Sequence, residues 1–126
     1  MSIFGIGIDI VQIDRVRSSL ERFGDVFAKK ILHPNELKKF NALKLKERYL
    51  AKRFAAKEAF AKALGTGIVE DVIFPKIEVV NSEEGKPEII LHGVTQEKAN
   101  SLNIQSIFLS ISDEKKYAVA QVVLEK

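Results

Sequence analysis

Asp9 is the one ionisable residue in an apolar, glycine-containing segment near the start of the chain, Gly5-Ile6-Gly7-Ile8-Asp9-Ile10-Val11. If this segment is a strand, alternation places Asp9 on the same face as Gly5, Gly7 and Val11, a face with few side chains. A carboxylate there is tolerated when it meets a cation or hydrogen-bond donors, and we expect the glycines to leave room for a bulky ligand. A solvated strand position or a helix cap is the ordinary structural alternative.

Glu58 is the second carboxylate with a suggestive setting, because it lies in an alanine-rich segment whose small side chains would not screen it from a ligand. Lys62 follows one helical turn later, a spacing that also suits an ordinary surface salt bridge. Together, a strand carboxylate and a helix carboxylate would form an oxygen site suited to Mg²⁺. This ion typically takes one or two protein carboxylates and fills its other positions with water and phosphate oxygens.

Other familiar sites receive little support. Gly5-Ile6-Gly7 begins like a dinucleotide fingerprint, but Ile10 stands where the third glycine belongs, and there is no P-loop lysine pattern. The chain has no Cys, which excludes disulfides and thiolate metal sites. Its two histidines, His33 and His92, are far apart along the chain, so we expect no zinc site.

The pattern of elements predicts one α+β domain spanning residues 1–126, with a largely antiparallel sheet packed against a long helix and shorter helices. A hydrophobic content of 46% is enough for one compact core. We expect strands at Met1–Val11, Lys76–Asn81, Glu88–His92, Ser106–Ser112 and Tyr117–Leu124, and helices at Arg15–Phe23 (capped by Asp14), from His33-Pro34-Asn35-Glu36, at Lys46–Leu64 (ended by Gly65) and at Val94–Leu102.

The two halves of the chain differ in charge. Residues 1–63 contain 14 Lys and Arg against 7 Asp and Glu, whereas residues 64–126 contain 6 against 10. A basic half indicates an anionic partner such as phosphate, nucleic acid or an acidic protein, although a solvated lysine-rich helix surface would look the same. There is no signal-peptide pattern and no apolar run near the roughly 20 residues of a membrane span, so we expect a cytoplasmic protein.

Two segments resemble the signature segments of the phosphopantetheinyl transferase superfamily: the Gly-Ile-Gly-Ile-Asp-Ile-Val opening and Arg-Phe-Ala-Ala-Lys-Glu-Ala-Phe-Ala-Lys-Ala-Leu-Gly-Thr-Gly at residues 53–67. The length, the Gly85-Lys86-Pro87 turn and the ending Ser110-Ile111-Ser112 … Tyr117-Ala118-Val119-Ala120 are similar to its short bacterial branch, the holo-[acyl-carrier-protein] synthases. The likeness covers essentially the whole chain. Many relatives carry His where Asp113 stands, so no phosphate-contacting role is transferred to Asp113.

The resemblance implies a phosphopantetheinyl transferase-like fold and a Mg²⁺-dependent enzyme of fatty acid biosynthesis. Such an enzyme transfers phosphopantetheine from coenzyme A to a serine of apo-acyl carrier protein and releases adenosine 3′,5′-bisphosphate. It implies that Asp9 and Glu58 ligate Mg²⁺, that Lys62 neutralises pyrophosphate charge, and that Arg53 helps to hold the nucleotide. We expect Glu58 to be the base and Gly65 to expose backbone beside the nucleotide.

The resemblance also supplies partners. Family members form trimers with the coenzyme between subunits, and we expect a homotrimer here. Acyl carrier proteins are acidic, and Arg15 and Arg22 lie seven residues apart on one face of the predicted first helix, which makes them candidate docking residues. We expect them to lie away from Asp9 and Glu58. A non-enzymatic nucleic-acid-binding module is the alternative, but it leaves both carboxylates without a purpose.

Overall fold

Five strands and five α-helices follow one another in the order β-α-α-α-α-β-β-α-β-β in the computed structural model, which describes all 126 residues. A three-residue 3₁₀ turn at Phe74–Lys76 precedes the second strand. The elements are β1 Ile3–Gln12, α1 Ile13–Phe23, α2 Asp25–Ile31, α3 Pro34–Ala42, α4 Lys46–Leu64, β2 Ile77–Asn81, β3 Pro87–Leu91, α5 Gly93–Ser101, β4 Ser106–Asp113 and β5 Tyr117–Glu125.

All strand pairs are antiparallel, which confirms the predicted α+β class. One sheet has the order β1-β5-β4, and β2 pairs only with β3 in a hairpin. In the first sheet Asp9 lies opposite Ala120 of the central strand β5, and Ala120 lies opposite Ile111 of β4. This register places Asp9 on the face of the sheet that packs against α4.

Helix α4 is buried on almost every side, as expected for a helix that crosses the middle of a small domain. Gly5 and Gly7 allow this helix to approach β1 at backbone distance. A Cβ built on Gly7 would lie 1.9 Å from the carbonyl oxygen of Ala59, and one on Gly5 would lie 2.0 Å from that of Ala63. The expectation that the glycines leave room for a ligand is therefore wrong, because α4 fills that room.

The helix ends show which local sequence signals correctly predicted a helix boundary. The side chain of His33 accepts a hydrogen bond from Asn35 N–H at the start of α3, and the Glu36 carboxylate accepts one from the backbone N–H of His33, which forms a reciprocal capping box. Asp14 does not cap α1, since that helix begins at Ile13 and Asp14 lies within its first turn. Helix α2 was not predicted.

A buried ion pair ties α4 to the neighbouring elements. The fully buried Lys57 ammonium donates to Glu36 Oε1 at 2.5 Å, to the Ile31 carbonyl at 2.6 Å and to the Phe74 carbonyl at 3.1 Å. Burial lowers the pKa of Lys57 to about 8, although the negative charge of Glu36 opposes the shift. The three bonds satisfy all three ammonium protons, which is the condition under which a buried charge is tolerated.

The opposite face of the three-stranded sheet is apolar and uncovered. Ile6, Ile8 and Ile10 alternate along β1, and Phe108 lies in the same row as Ile6, with Val123 of β5 between them. These four side chains, here called the outer sheet face, are between 51% and 65% exposed. A contiguous exposed apolar face of this kind is typical of an interaction surface.

Candidate active site

The last turn of α4 brings Lys62 to the carboxylate of β1. The Lys62 ammonium donates to Asp9 Oδ1 and to the Ile8 carbonyl oxygen, each at 3.0 Å. The Asp9 carboxylate is largely buried, whereas the Lys62 side chain is half exposed. The i,i+4 spacing had suggested a salt bridge with Glu58, but the observed partner of Lys62 is Asp9.

Asp9 and Glu58 line one open cavity of about 460 Å³ between β1, α1 and α4. Burial raises the pKa of Glu58, and the negative charge of Asp9 raises it further, while Lys62 opposes the shift. The structure thus brings together the strand carboxylate and the helix carboxylate that sequence analysis singled out. The cavity opens beside α1, not beside the glycines, whose face is covered by α4.

The donor set of this cavity fits a divalent cation of the Mg²⁺ type. The pKa of Glu58 is raised first by burial and then by repulsion from the negative charge of Asp9. A hard cation relieves that repulsion and accepts oxygen ligands, of which it needs only one or two from protein carboxylates. With the Lys62 ammonium beside them, these groups also suit a ligand that carries phosphate oxygens.

The two candidate docking arginines differ in position. Arg15 lines the same cavity as Asp9 and Glu58, which corrects the expectation that both arginines lie away from the carboxylates. Arg22, in the last turn of α1, places its guanidinium over the ring of Phe23 at 5.1 Å. Both are exposed, and neither forms a salt bridge within the chain. The nearby Arg17 is already paired with Asp14 and Glu47.

Arg53 points away from the carboxylates, toward the hairpin of β2 and β3. Its guanidinium stacks over the Tyr49 ring at 3.9 Å and donates to Asn81 Oδ1 at 3.3 Å. The residue is only 6% exposed, and its Nε has no hydrogen-bond partner. It lines a second cavity of about 200 Å³ together with Asp113, whose carboxylate pairs with Arg48 Nε at 3.2 Å.

Gly65 ends α4 in the left-handed conformation, with φ of 86°, as its sequence position predicted. Its N–H donates to the Lys62 carbonyl at 3.0 Å, so this donor is engaged by the helix end. A Cβ at this position would meet no atom within 4 Å. The space beside Gly65 is therefore open, one turn from the Lys62 ammonium.

Sequence reasoning missed a polar cluster formed by His33, Glu78 and His92. The two histidines are distant in sequence, yet their rings stack with centroids 4.3 Å apart. Burial lowers the pKa of His33. Burial alone would raise the pKa of Glu78, but the hydrogen bonds from His92 and Asn35 outweigh this effect, and the pKa of Glu78 is lowered. The only sequence signal was that each histidine directly precedes a helix, since the strand pairing that joins them is not local.

Comparison with known proteins identifies the family to which this chain belongs. The family model of the 4′-phosphopantetheinyl transferase superfamily matches residues 5–122. The holo-[acyl-carrier-protein] synthase of Vibrio parahaemolyticus is 52% identical over 125 residues, which are 99% of this chain and 99% of that protein. The chain belongs to the holo-[acyl-carrier-protein] synthases. It is an enzyme of the phosphopantetheinyl transferase class, as the two signature segments predicted.

Solved structures agree with this membership. The crystal structure of the Neisseria meningitidis synthase superposes with a TM-score of 0.95 at 44% identity, covering 99% of this chain and 100% of that one. The Bacillus anthracis synthase, solved in complex with CoA (3′,5′-ADP), has a TM-score of 0.82 at 42% identity and covers 97% and 96%. This membership does not favour a nucleic-acid-binding module. None of the five α-helices has both the length and the apolarity needed to cross a membrane.

Proposed function

We propose that this enzyme transfers phosphopantetheine from coenzyme A to a serine of apo-acyl carrier protein, with Mg²⁺, in the cytoplasm and in support of fatty acid biosynthesis. The observation that carries the proposal is the open cavity in which Asp9 and Glu58 meet, with the Lys62 ammonium on Asp9. Coenzyme A carries a pyrophosphate, and these groups together provide the cation ligands and the positive charge that a pyrophosphate needs.

Asp9 and Glu58 would hold the Mg²⁺ ion through their carboxylate oxygens. When bound, the ion neutralises charge on the pyrophosphate and on the oxygen that leaves. Lys62 supplies a second positive centre from the protein itself, and its bond to the Ile8 carbonyl holds the ammonium beside the Asp9 carboxylate. Preorganised charge of this kind acts where negative charge develops in the transition state.

The reaction is a substitution at phosphorus. The serine oxygen of the carrier protein attacks the β-phosphorus of coenzyme A, a new P–O bond forms, and the bond to the bridging oxygen breaks. Adenosine 3′,5′-bisphosphate leaves with that oxygen and its electron pair. The serine proton passes to Glu58, which lines the cavity and is the nearest candidate base.

Coenzyme A would be held by Arg53, Lys62 and Gly65. The buried Arg53 guanidinium, with an unpartnered Nε, borders a cavity that also contains Lys52, so it offers concentrated positive charge to the nucleotide phosphates. The open space beside Gly65 leaves backbone accessible near Lys62. Asp113 occupies the rim of the Arg53 cavity, where its charge is balanced by Arg48.

The acidic carrier protein would dock against α1 through Arg15 and Arg22, which are exposed and free of salt bridges within the chain. Because Arg15 also lines the carboxylate cavity, docking there would deliver the acceptor serine to the reaction site. Arg22 would contribute farther along the helix. Long-range attraction between the basic half and the acidic partner would speed association at low salt.

The active form would be a homotrimer, with coenzyme A bound between subunits. The outer sheet face supports assembly, because its four apolar side chains have no partner within the chain. Burying such a face recovers roughly 25 cal/mol for each Å² of apolar area. Within one chain the Arg53 cavity and the carboxylate cavity share no lining residue. An interface between subunits beside these cavities would complete a coenzyme A site that one chain leaves open.

The direct test is to incubate apo-acyl carrier protein with coenzyme A, Mg²⁺ and this enzyme, and to read the carrier protein by intact mass. We expect a gain of one phosphopantetheine group and an equimolar release of adenosine 3′,5′-bisphosphate. A carrier protein whose acceptor serine is replaced by alanine is the matched control and should gain nothing. An unchanged mass of the normal carrier protein would contradict the proposal.

A further inference from the structure

Three ligand atoms converge on the side of the molecule formed by α3, β2 and α5. His33 Nδ1, Glu78 Oε1 and His92 Nε2 all lie within 4.8 Å of one another. Glu78 Oε1 is 2.8 Å from His92 Nε2 and 3.8 Å from His33 Nδ1. Two ligands on a tetrahedral ion with bonds of about 2.0–2.1 Å are separated by roughly 3.3 Å, so these distances bracket the expected value.

The surroundings hold the three groups in place. Asn35 Nδ2 donates to Glu78 Oε2 at 3.2 Å, which leaves the other carboxylate oxygen, Oε1, facing the histidines. A ligating carboxylate is typically oriented by such an outer hydrogen bond. Glu78 is buried and His33 is largely buried, whereas His92 is about one third exposed, so the cluster can be reached from solvent.

We propose that His33, Glu78 and His92 form a binding site for a divalent transition metal ion such as Zn²⁺ or Co²⁺. Two imidazoles and one carboxylate favour these ions over Mg²⁺, which prefers oxygen ligands. Water would take the fourth position. To bind the ion, His92 Nε2 must lose any proton that it shares with Glu78. His33 Nδ1 must give up the hydrogen bond that it accepts from Asn35 N–H.

This site is separate from the carboxylate cavity. None of its three residues lines the cavity of Asp9 and Glu58, and the proposal does not depend on the transfer reaction. An ion here would join the residue before α3, strand β2 and the residue before α5, which are distant in sequence. Its expected effect is to stabilise the fold, since a ligand that binds only the native state raises its stability.

The experiment is a titration of the metal-free enzyme with Co²⁺, followed by visible absorbance, and then with Zn²⁺ as competitor. Two substitutions remove one ligand each while keeping its structural role: His33→Asn retains a helix-capping side chain, and His92→Phe retains the stacked ring. Loss of an outer-shell partner costs about 10–100-fold in affinity, so we expect each ligand substitution to weaken Co²⁺ binding by more than about 100-fold.

Thermal unfolding gives a second measurement, in which Zn²⁺ should raise the melting temperature of the wild type but not that of His92→Phe. The double variant Asp9→Asn/Glu58→Gln is the matched control, because it removes the two carboxylates of the other cavity. It should bind Co²⁺ at the site of His33, Glu78 and His92 with wild-type affinity. Three outcomes would overturn the proposal: no Co²⁺ uptake by the wild type, wild-type affinity in His33→Asn or His92→Phe, or loss of binding in the control variant.

Discussion

At the scale of single residues, Lys62 combines an observed structural contact with a proposed role in the reaction. Its ammonium bonds to Asp9 and to the Ile8 carbonyl, which ties the end of α4 to β1, yet half of the side chain remains exposed. A purely structural salt bridge at this exposure is worth at most about 1 kcal/mol. A group that neutralises pyrophosphate charge in the transition state is worth considerably more to the reaction than to the fold.

We therefore expect Lys62→Ala to lower turnover by about 10²–10³-fold, because one preorganised positive charge is lost, while subunit assembly and melting temperature stay close to those of the wild type. Steady-state kinetics and thermal unfolding measure the two effects. Lys29→Ala, which removes an exposed lysine of α2, is the matched control and should leave both unchanged. Full activity combined with reduced stability in Lys62→Ala would show that the pair with Asp9 is only structural.

At the scale of elements, α4 was predictable with its bounds, Lys46–Leu64. Its alanines favour helix, no Gly or Pro interrupts it, and Gly65 supplies the left-handed residue that ends it. Helix α2 was not predictable in the same way. It has only seven residues between Gly24 and Leu32, which is too few for a periodic pattern to emerge.

The packing of the glycine face could not be read from the sequence either. Alternation along β1 correctly indicates that Gly5, Gly7 and Asp9 share a face. It does not indicate whether a ligand or another element lies on that face, since this depends on contacts between distant parts of the chain. The same limit hid the pairing of His33 with His92, which arises only when the residues before α3 and α5 meet around β2.

The close approach of α4 to β1 predicts a strong effect of one added methyl group. Gly7→Ala would place Cβ 1.9 Å from a backbone oxygen, so α4 must move, and we expect a loss of about 3 kcal/mol in unfolding free energy. Gly65→Ala, with φ of 86° but open space around it, should cost only about 1–2 kcal/mol. Denaturant unfolding compares them, and an equal or smaller loss in Gly7→Ala would contradict the packing.

Helix α1 gives a prediction about the carrier protein. Arg22→Glu should weaken carrier-protein association and reduce its dependence on salt, with little change in coenzyme A binding, because Arg22 lies outside the carboxylate cavity. Arg15→Glu should impair both, since Arg15 lines that cavity. Titrations of each ligand at low and moderate salt measure this. If Arg22→Glu leaves carrier-protein binding intact, the docking surface lies elsewhere.

At the scale of the whole molecule, the outer sheet face predicts an assembly. Ile8→Glu places a charge in its centre, and because Ile8 is 58% exposed the single chain should still fold. We expect the proposed trimer to dissociate in this variant and transfer activity to fall with it, as measured by sedimentation velocity and by intact mass. Ile90→Glu, on the separate β2–β3 hairpin, is the control and should remain trimeric. A trimeric Ile8→Glu would place the interface on another surface.

The most direct test of this account concerns the two carboxylates of the carboxylate cavity. Transfer to apo-acyl carrier protein would be followed over a Mg²⁺ titration for the wild type, Asp9→Asn and Glu58→Gln, with folding checked by circular dichroism. We expect the wild type to lose activity when Mg²⁺ is chelated, and each variant to remain folded while its turnover falls by at least about 100-fold. Near-normal turnover of either variant in saturating Mg²⁺ would contradict the assignment of Asp9 and Glu58 as the magnesium-dependent centre of this enzyme.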